Sequence, residues 1–224
     1  MSTTDKPRSR SKARPKRREG AGLKRRQREI VDTAAEIFYR KGYSETSVQD
    51  VADAVGILKG SLYYYIDSKE DLLFQMLREV HEDAKSIVTD TAALDIPPLE
   101  RLRIYVQRHV EYNARNLARI AVYCHDFGLL TPERREAIVG QRDYYQDFVQ
   151  GLIQEAQGRG DVDPSVDPAL ISNAVFGVVN WLYTWYQPDG PASPEYLGKL
   201  YGEMIVDGVT GGRMPEAPTP RGAT

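Results

Sequence analysis

Apolar residues recur at intervals of three and four along almost the whole chain, and this spacing limits the possible folds more than any other feature. Such spacing places apolar side chains on one face of an α-helix, whereas a half-buried strand needs alternation with a period of two. No stretch alternates for long enough to form a strand. The sequence therefore predicts an all-α protein.

Prolines and glycines divide this pattern into about nine helices. Pro132, Pro168 and Pro194 fit the first turn of a helix, where a missing N–H costs nothing. The expected helices are a first one that carries Ile30 and ends near Gly42, short helices over 48–55 and 58–65, a long helix capped by Ser68, and five more at about 98–115, 117–127, 132–158, 168–186 and 194–210.

The charge of the chain is divided unevenly. The segment 1–28 carries 12 Lys or Arg against two acidic residues, yet the formal net charge of the whole chain is −2. The rest of the chain is therefore acidic. We expect residues 1–24 to form a disordered basic arm that suits phosphate backbones, and 212–224 to form a disordered tail. The alternative for the arm is a solubilising tail without a nucleic-acid partner.

Several classes of protein are excluded by composition. The longest nearly apolar run, 174–186, is shorter than the roughly 18 residues that a membrane span needs. No apolar segment follows the basic amino terminus, so we expect no secretory signal. The single cysteine, Cys124, excludes an internal disulfide and fits a reducing compartment. We expect a cytoplasmic protein without a membrane partner.

Catalytic and metal sites are not predicted. His81, His109 and His125 include no pair at the i, i+4 spacing that a helical metal site uses. The side chains of Cys124 and His125 would point about 100° apart on a helix, so they cannot form a nucleophile and base pair. We predict no catalytic residue, no metal and no cofactor, and therefore no enzyme.

The stretch VADAVGILKGSLYYYIDSKEDLL predicts a helix, a turn at Gly56 and a short helix. This is the arrangement of a helix-turn-helix, whose second helix enters the major groove of DNA. Gly60 would let the backbone approach DNA closely, and Lys59 would contact phosphate. On residue types alone, the three adjacent tyrosines could equally be a mixture of core and surface positions.

The stretch TSVQDVADAVGILKGSLYYYIDSKEDLL, with IVDTAAEIFYRKGY before it, resembles the amino-terminal domain of the tetracycline-repressor (TetR) family. The resemblance implies a DNA-binding domain over 25–85, with its helix-turn-helix at 48–67, and a ligand-binding and dimerisation domain over 86–211. It implies that Leu62 and Tyr65 turn inward. The positions that match the family's DNA contacts are Ser47, Gln49, Lys59, Gly60, Ser61, Tyr63, Tyr64 and Lys69.

This chain departs from the family pattern in two places. Leu58 stands where many members have a serine that caps the recognition helix, so that helix has a weaker start. Tyr64 and Ile66 stand where many members have histidine and phenylalanine. The operator sequence therefore cannot be taken from a relative.

The last two helices are expected to form a dimer interface. Their apolar and small residues share one side of each helix, and two such helices from each chain can form a four-helix interface, as the resemblance also implies. The alternative is that they only complete the core of one chain. The predicted interface residues are Ala174, Gly177, Trp181, Trp185, Leu197, Leu200 and Met204.

Aromatic residues with a few polar anchors on the middle helices predict a ligand pocket, although such a stripe can also be plain core. The predicted pocket residues are Tyr105, His109, Tyr112, Tyr123, Phe127, Arg142, Tyr145 and Phe148. The segments DFGLLTPERREAIVGQRDYYQDFV and NWLYTWYQPDG are similar to those of a TetR subgroup that includes repressors of fatty-acid and steroid breakdown. This similarity implies an acyl-CoA-type effector, with Arg134, Arg135 or Arg142 available for its phosphates.

These features together predict a homodimeric transcriptional regulator, most simply a repressor, that a small hydrophobic or acyl-CoA-type effector releases from a palindromic operator in double-stranded DNA. One alternative is a multidrug-type sensor of uncharged hydrophobic compounds. A second is an architectural DNA-binding protein that responds to no ligand. A helical enzyme is the third, and the absence of an acid–base pair argues against it.

Overall fold

The computed structural model describes residues 16–211, which form nine α-helices and two 3-10 segments without any strand. The all-α prediction is confirmed for this part of the chain. The helices are α1 (Lys16–Lys41), α2 (Val48–Val55), α3 (Lys59–Leu62), α4 (Lys69–Ala92), α5 (Pro98–Arg115), α6 (Leu117–Asp126), α7 (Pro132–Arg159), α8 (Pro168–Asn180) and α9 (Pro194–Gly211), and the 3-10 segments are Phe127–Leu129 and Trp181–Thr184. None of these helices is long and apolar enough to cross a membrane.

Helix α1 begins earlier than the sequence suggested. Residues 16–24 were expected to belong to a disordered arm, and they form the first turns of α1 instead. The segment contains Lys, Arg, Glu, Ala and Leu, which favour helix, besides two glycines, and it continues directly into turns that are anchored by the buried Ile30. Residues 1–15 of the expected arm and the expected tail at 212–224 lie outside the described part of the chain.

Two hydrophobic cores organise the molecule. The first is formed by α1, α2, α3 and the start of α4, with α6 and α7 added through Val122 and Ile138. The second is formed by the end of α4 with α5, α7, α8 and α9. The expected domain boundary between residues 85 and 86 falls inside α4. One continuous helix therefore belongs to both cores.

A buried arginine joins the helices of the two cores. Arg119 on α6 is 4% exposed, and its Nε donates to Asp32 Oδ1 on α1 at 2.9 Å. Its Nη1 lies 3.0 Å from Glu79 Oε2 on α4. Burial raises the pKa of the Glu79 carboxyl, and the charge of Arg119 opposes that shift. The two acidic partners compensate a charge that could not otherwise be buried.

Helix α9 packs against α5 at unusually short range because of two glycines. A Cβ atom at Gly198 would lie 2.7 Å from the Gln107 carbonyl oxygen, and one at Gly202 would lie 2.9 Å from that of Arg103. Leu197, beside Gly198, is buried in the second core. The prediction that Leu197 belongs to a dimer interface is therefore wrong, since its side of α9 faces α5.

The close contact between α5 and α9 gives a stability test. Gly198→Ala should lower the free energy of unfolding by about 1–3 kcal/mol, because the new methyl group must displace backbone of α5. Gly151→Ala on α7 is the matched control: nothing lies within 4 Å of its new Cβ, and helix propensity should raise stability by up to about 1 kcal/mol. Urea denaturation of both variants checks this, and equal effects of the same sign would contradict the packing.

Candidate DNA-binding and effector sites

The helix-turn-helix is held by local hydrogen bonds at both ends of α2. Ser47 Oγ accepts from the Asp50 backbone N–H at 3.1 Å, and Asp50 Oδ2 accepts from the Ser47 N–H at 2.7 Å. The Ser47 hydroxyl also donates to Asp50 Oδ2 at 2.7 Å, and this bond together with the one from the Ser47 N–H holds the pKa of Asp50 well below its usual value. Gly56 ends α2 with φ +74°, in the left-handed region that favours glycine. The capping box and this glycine fix the direction in which α3 leaves the turn.

Helix α3 is shorter than predicted. A helix over 58–65 was expected, but regular α-helix covers only Lys59–Leu62. The chain then tightens into three-residue turns, in which Tyr64 N–H donates to Ser61 O at 3.3 Å and Tyr65 N–H to Leu62 O at 2.9 Å. Leu58 occupies the N-cap position, and its apolar side chain cannot form a capping hydrogen bond. The helix thus begins without a side-chain cap, and its regular part is one turn.

The outer surface of α3 brings most of the predicted DNA contacts together. Leu62 is buried and Tyr65 is half-buried, as expected, and they fix the inner side. Tyr64 is 73% exposed. The exposed predicted residues on this surface are Lys59, Gly60, Ser61, Tyr63 and Tyr64. Ser47 and Gln49 are exposed at the start of α2.

Lys69 has a different role from the one predicted. Its ammonium group donates to the backbone carbonyls of Tyr43 and Thr46, both at 2.9 Å, and to that of Ser44 at 3.3 Å. It also stands 4.3 Å from the centroid of the Tyr43 ring. An ammonium group has three hydrogens, so none remains for a DNA phosphate. Lys69 therefore ties the start of α4 to the loop between α1 and α2.

Helices α8 and α9 turn an apolar surface to solvent. Helix α8 ends at Asn180, earlier than the predicted 186, and the chain tightens into the 3-10 segment. Trp181 is 62% exposed, and nothing lies within 4 Å of a Cβ built on Gly177. The predicted interface residues exposed here are Ala174, Gly177, Trp181, Trp185, Leu200 and Met204, and those that the prediction omitted are Leu170, Val178 and Tyr196.

A cavity of about 60 Å³ lies between helices α4 to α8. Four predicted residues line it: His109, Tyr123, Arg142 and Tyr145. The residues that were not predicted are Val80, His81, Ala84, Ile120, Gln146, Phe176 and Asn180. Val80 and Ala84 were assigned to the buried stripe of α4, and His81 was considered only as a metal ligand. The buried stripe of α4 could have revealed these residues, because it continues beyond the first core toward the second.

The other four predicted pocket residues do not line the cavity. Tyr105 is fully buried behind His109, with its hydroxyl 3.0 Å from His109 Nδ1. Phe148 packs on Tyr105, with ring centroids 5.3 Å apart. Tyr112 donates to Asp83 at 3.1 Å, and Phe127 packs with the first core. The aromatic stripe is thus partly core, which was the alternative interpretation.

Two histidines and one arginine line the cavity, together with the polar side chains of Tyr123, Tyr145, Gln146 and Asn180. Burial, with a smaller effect of the Arg142 charge, lowers the pKa of His81 to about 4. Burial also lowers the pKa of His109 to about 4. Both rings are therefore uncharged at neutral pH. Arg142 is exposed and contributes the positive charge at the cavity wall.

The other two arginines of α7 differ in their surroundings. Arg134 lies 3.3 Å from Asp71 Oδ1 and 5.0 Å from the centroid of the Phe74 ring. These contacts bind Arg134 to α4, which argues against the predicted role in phosphate binding. Arg135 is half-exposed, two helical turns before Arg142.

Both parts of the chain match known families. Residues 30–76 match the bacterial regulatory proteins of the tetR family, and 95–209 match the tetracyclin repressor-like C-terminal domain. The transcriptional repressor KstR2 of Mycobacterium tuberculosis is 28% identical over 190 residues, which cover 83% of this chain and 93% of the relative. The solved structure of this ketosteroid regulator has a TM-score of 0.77 at 26% identity and covers 83% of this chain and 95% of its own.

Two further solved structures share the fold over most of their length. AibR, in complex with isovaleryl coenzyme A and operator DNA, has a TM-score of 0.72 at 28% identity and covers 83% of this chain and 98% of its own. PfmR from Thermus thermophilus has a TM-score of 0.74 at 30% identity, with coverage of 79% and 96%. The helix-turn-helix, the helical second domain and these matches agree, and the chain belongs to the TetR family of transcriptional regulators.

Proposed function

We propose that this chain is a homodimeric repressor that binds a palindromic operator and is released from it by an acyl-CoA thioester. One observation supports a coupling between the effector cavity and the helix-turn-helix. Helix α4 begins at Lys69, which holds the loop before the helix-turn-helix, and reaches the cavity three turns later through Val80, His81 and Ala84. A ligand that moves α4 at the cavity therefore moves the support of α3.

The exposed surface of α3 supplies the contacts to DNA in this proposal. Tyr63 and Tyr64 can pack on thymine methyl groups or sugars while their hydroxyls donate to phosphate. Lys59 contacts a phosphate, and Gly60 lets the backbone approach the groove without a side chain in the way. Ser47 and Gln49 lie at the start of α2, which would cross the backbone. The basic residues of the amino-terminal segment add sequence-independent attraction.

The dimer in this proposal is formed by the apolar faces of α8 and α9. Large exposed side chains such as Trp181, Trp185 and Met204 are unfavourable in water and mark an interaction surface when they lie together. Pairing of two identical faces about a twofold axis gives the symmetry of a palindromic operator. It would place two copies of α3 roughly 34–36 Å apart, or a multiple of that distance.

The effector in this proposal enters the cavity with its acyl part. Val80, Ala84, Ile120 and Phe176 give the cavity an apolar lining, and Arg142 lies where a phosphate could be paired. The cavity is much smaller than the roughly 300–1,000 Å³ of ordinary ligand pockets, so binding must separate its walls. A difference of about 1–3 kcal/mol between the two conformations changes operator affinity roughly 5- to 150-fold. The AibR complex with isovaleryl coenzyme A supports this class of effector.

The DNA contacts can be tested by two substitutions on α3. Lys59→Ala should weaken binding to all sequences and reduce the slope of log affinity against log salt by about one, because one phosphate contact is lost. Tyr63→Ala should reduce discrimination between operator and random DNA. Arg159→Ala at the end of α7 is the charge-matched control. Fluorescence anisotropy over a salt series measures both, and operator affinity unchanged in both folded variants would remove α3 from the interface.

The dimer face can be tested at Gly177. Gly177→Leu should leave the single chain folded, since there is open space around its Cβ, but it should separate the two chains by preventing close approach of α8. Gly151→Leu on α7 is the control and should remain dimeric. Sedimentation velocity of both variants distinguishes these outcomes; a stable dimer of Gly177→Leu would place the interface elsewhere.

The effector class can be tested by release of operator DNA in a mobility-shift titration. Medium-chain and long-chain acyl-CoA thioesters should release DNA, and the free acids should act weakly because they lack the phosphates. Arg142→Ala should raise the thioester concentration needed by roughly 10-fold, through loss of a charge-assisted contact, and Arg159→Ala should not. Release by an uncharged hydrophobe, with no response to any thioester, would instead identify a multidrug-type sensor.

A further inference from the structure

The hydrogen bonds of Tyr145 fix the position of the proton on His81. The Tyr145 hydroxyl lies 2.8 Å from the His81 backbone carbonyl and 2.8 Å from Nδ1 of the same residue. A hydroxyl has one hydrogen, which the carbonyl accepts, so the contact with the ring requires an N–H at Nδ1. A neutral imidazole has only one N–H. Nε2 of His81 is therefore an acceptor with a free lone pair.

That acceptor has no partner, and its residue lines the effector cavity. His81 is 3% exposed and lines the cavity, and among the described residues no group donates to its Nε2. The ring is held in place by stacking on Tyr145 at 5.5 Å and by an edge contact with Tyr123 at 5.2 Å. A buried acceptor left unpaired lowers stability, and a donor that reaches it restores what was lost. The ring is thus prepared for a donor on a molecule in the cavity.

We propose that the acyl part of the effector carries a hydroxyl group that donates a hydrogen bond to Nε2 of His81, so that the cavity selects hydroxylated acyl groups over unsubstituted or keto groups of the same size. This inference rests on the proposed function for the thioester part of the ligand. A ketone or a carboxylate offers only lone pairs, which the lone pair of Nε2 repels. The amide N–H groups of coenzyme A are common to all its thioesters and give no such selection.

The electrostatics of the cavity support a neutral acceptor. Burial lowers the pKa of His81 to about 4, and the charge of Arg142 acts in the same direction. The ring therefore remains neutral at neutral pH, with its single proton on Nδ1, and cannot donate from Nε2. His109, with its pKa lowered to about 4 by burial, adds no positive charge.

Tyr145 is the positioning residue in this arrangement. Removal of its hydroxyl in Tyr145→Phe takes away the acceptor that holds the proton on Nδ1, so the tautomer with N–H at Nε2 becomes accessible. That tautomer donates where the first one accepts. Tyr145→Phe should therefore shift the preference of the cavity from a hydroxyl toward a carbonyl group, an effect that lost packing alone would not produce.

The test compares 3-hydroxyoctanoyl-CoA, octanoyl-CoA and 3-oxooctanoyl-CoA, using the full chain, calorimetry and operator release. The wild type should bind the hydroxylated thioester about 10- to 100-fold more tightly than the other two. His81→Leu, of similar volume but without an acceptor, should bind octanoyl-CoA and its 3-hydroxy form equally. Tyr145→Phe should favour the 3-oxo form. A wild-type ratio within twofold, or a ratio unchanged in folded His81→Leu, would overturn the proposal.

A second measurement separates this inference from the choice of effector. Nitrogen-15 NMR of the histidine-labelled chain should show His81 with its proton on Nδ1, and cyclohexanol should shift the Nε2 resonance where methylcyclohexane and cyclohexanone do not. If cyclohexanol does so but no thioester binds, the proposed function fails and the inference stands. A proton on Nε2 in the free protein would refute the inference even if thioesters release DNA. This measurement uses the wild-type chain, so it decides the question even if His81→Leu fails to fold.

Discussion

The buried charge of Arg119 is the constraint on which the arrangement of the two domains depends. Its guanidinium group lies on α6, and its two acidic partners lie on α1 and α4. Removal of one partner from such a cluster leaves an uncompensated buried charge and costs about 3–5 kcal/mol. The three helices are therefore held at one relative position by this cluster. Ile120, the next residue on α6, lines the cavity, so in the proposed function a ligand there acts on the same cluster.

In the proposed function, helix α4 carries the effect of a ligand toward DNA, because it is tied down at its start and lines the cavity at its middle. At its start, Lys69 donates to three carbonyls of the loop before α2, and farther along, His81 forms part of the cavity wall. A helix transmits a displacement over this distance because its backbone hydrogen bonds keep it stiff. The close packing of the shared cores also leaves little room for local adjustment. A small cavity that must widen is thus suited to regulation.

The sequence predicted the parts of the fold that local chemistry decides. Helical spacing and the prolines at the starts of α7, α8 and α9 gave the helices, and the left-handed conformation of Gly56 agrees with the predicted turn. The errors lie where tertiary contacts decide. Periodicity placed Lys69 on a polar surface but could not show that three carbonyls of another segment surround it. Periodicity likewise placed Leu197 on an apolar face. It could not show that α5 packs closely against α9 at the neighbouring Gly198.

At the effector cavity, too, the sequence predicted which residues share a helix face but not how deeply each one is buried. Helical spacing correctly brought His109, Tyr123 and Tyr145 together, but it could not show that Tyr105 lies one layer deeper, behind His109. The result is a site with two unlike ends. The exposed Arg142 suits an anionic group outside the cavity. The lone pair of the neutral His81 ring suits an uncharged hydrogen-bond donor inside it. A free fatty acid that puts its carboxylate inside meets this lone pair, and an uncharged hydrophobe leaves Arg142 unused. A thioester of a polar acyl group satisfies both ends, because its phosphates remain outside while the hydroxyl enters.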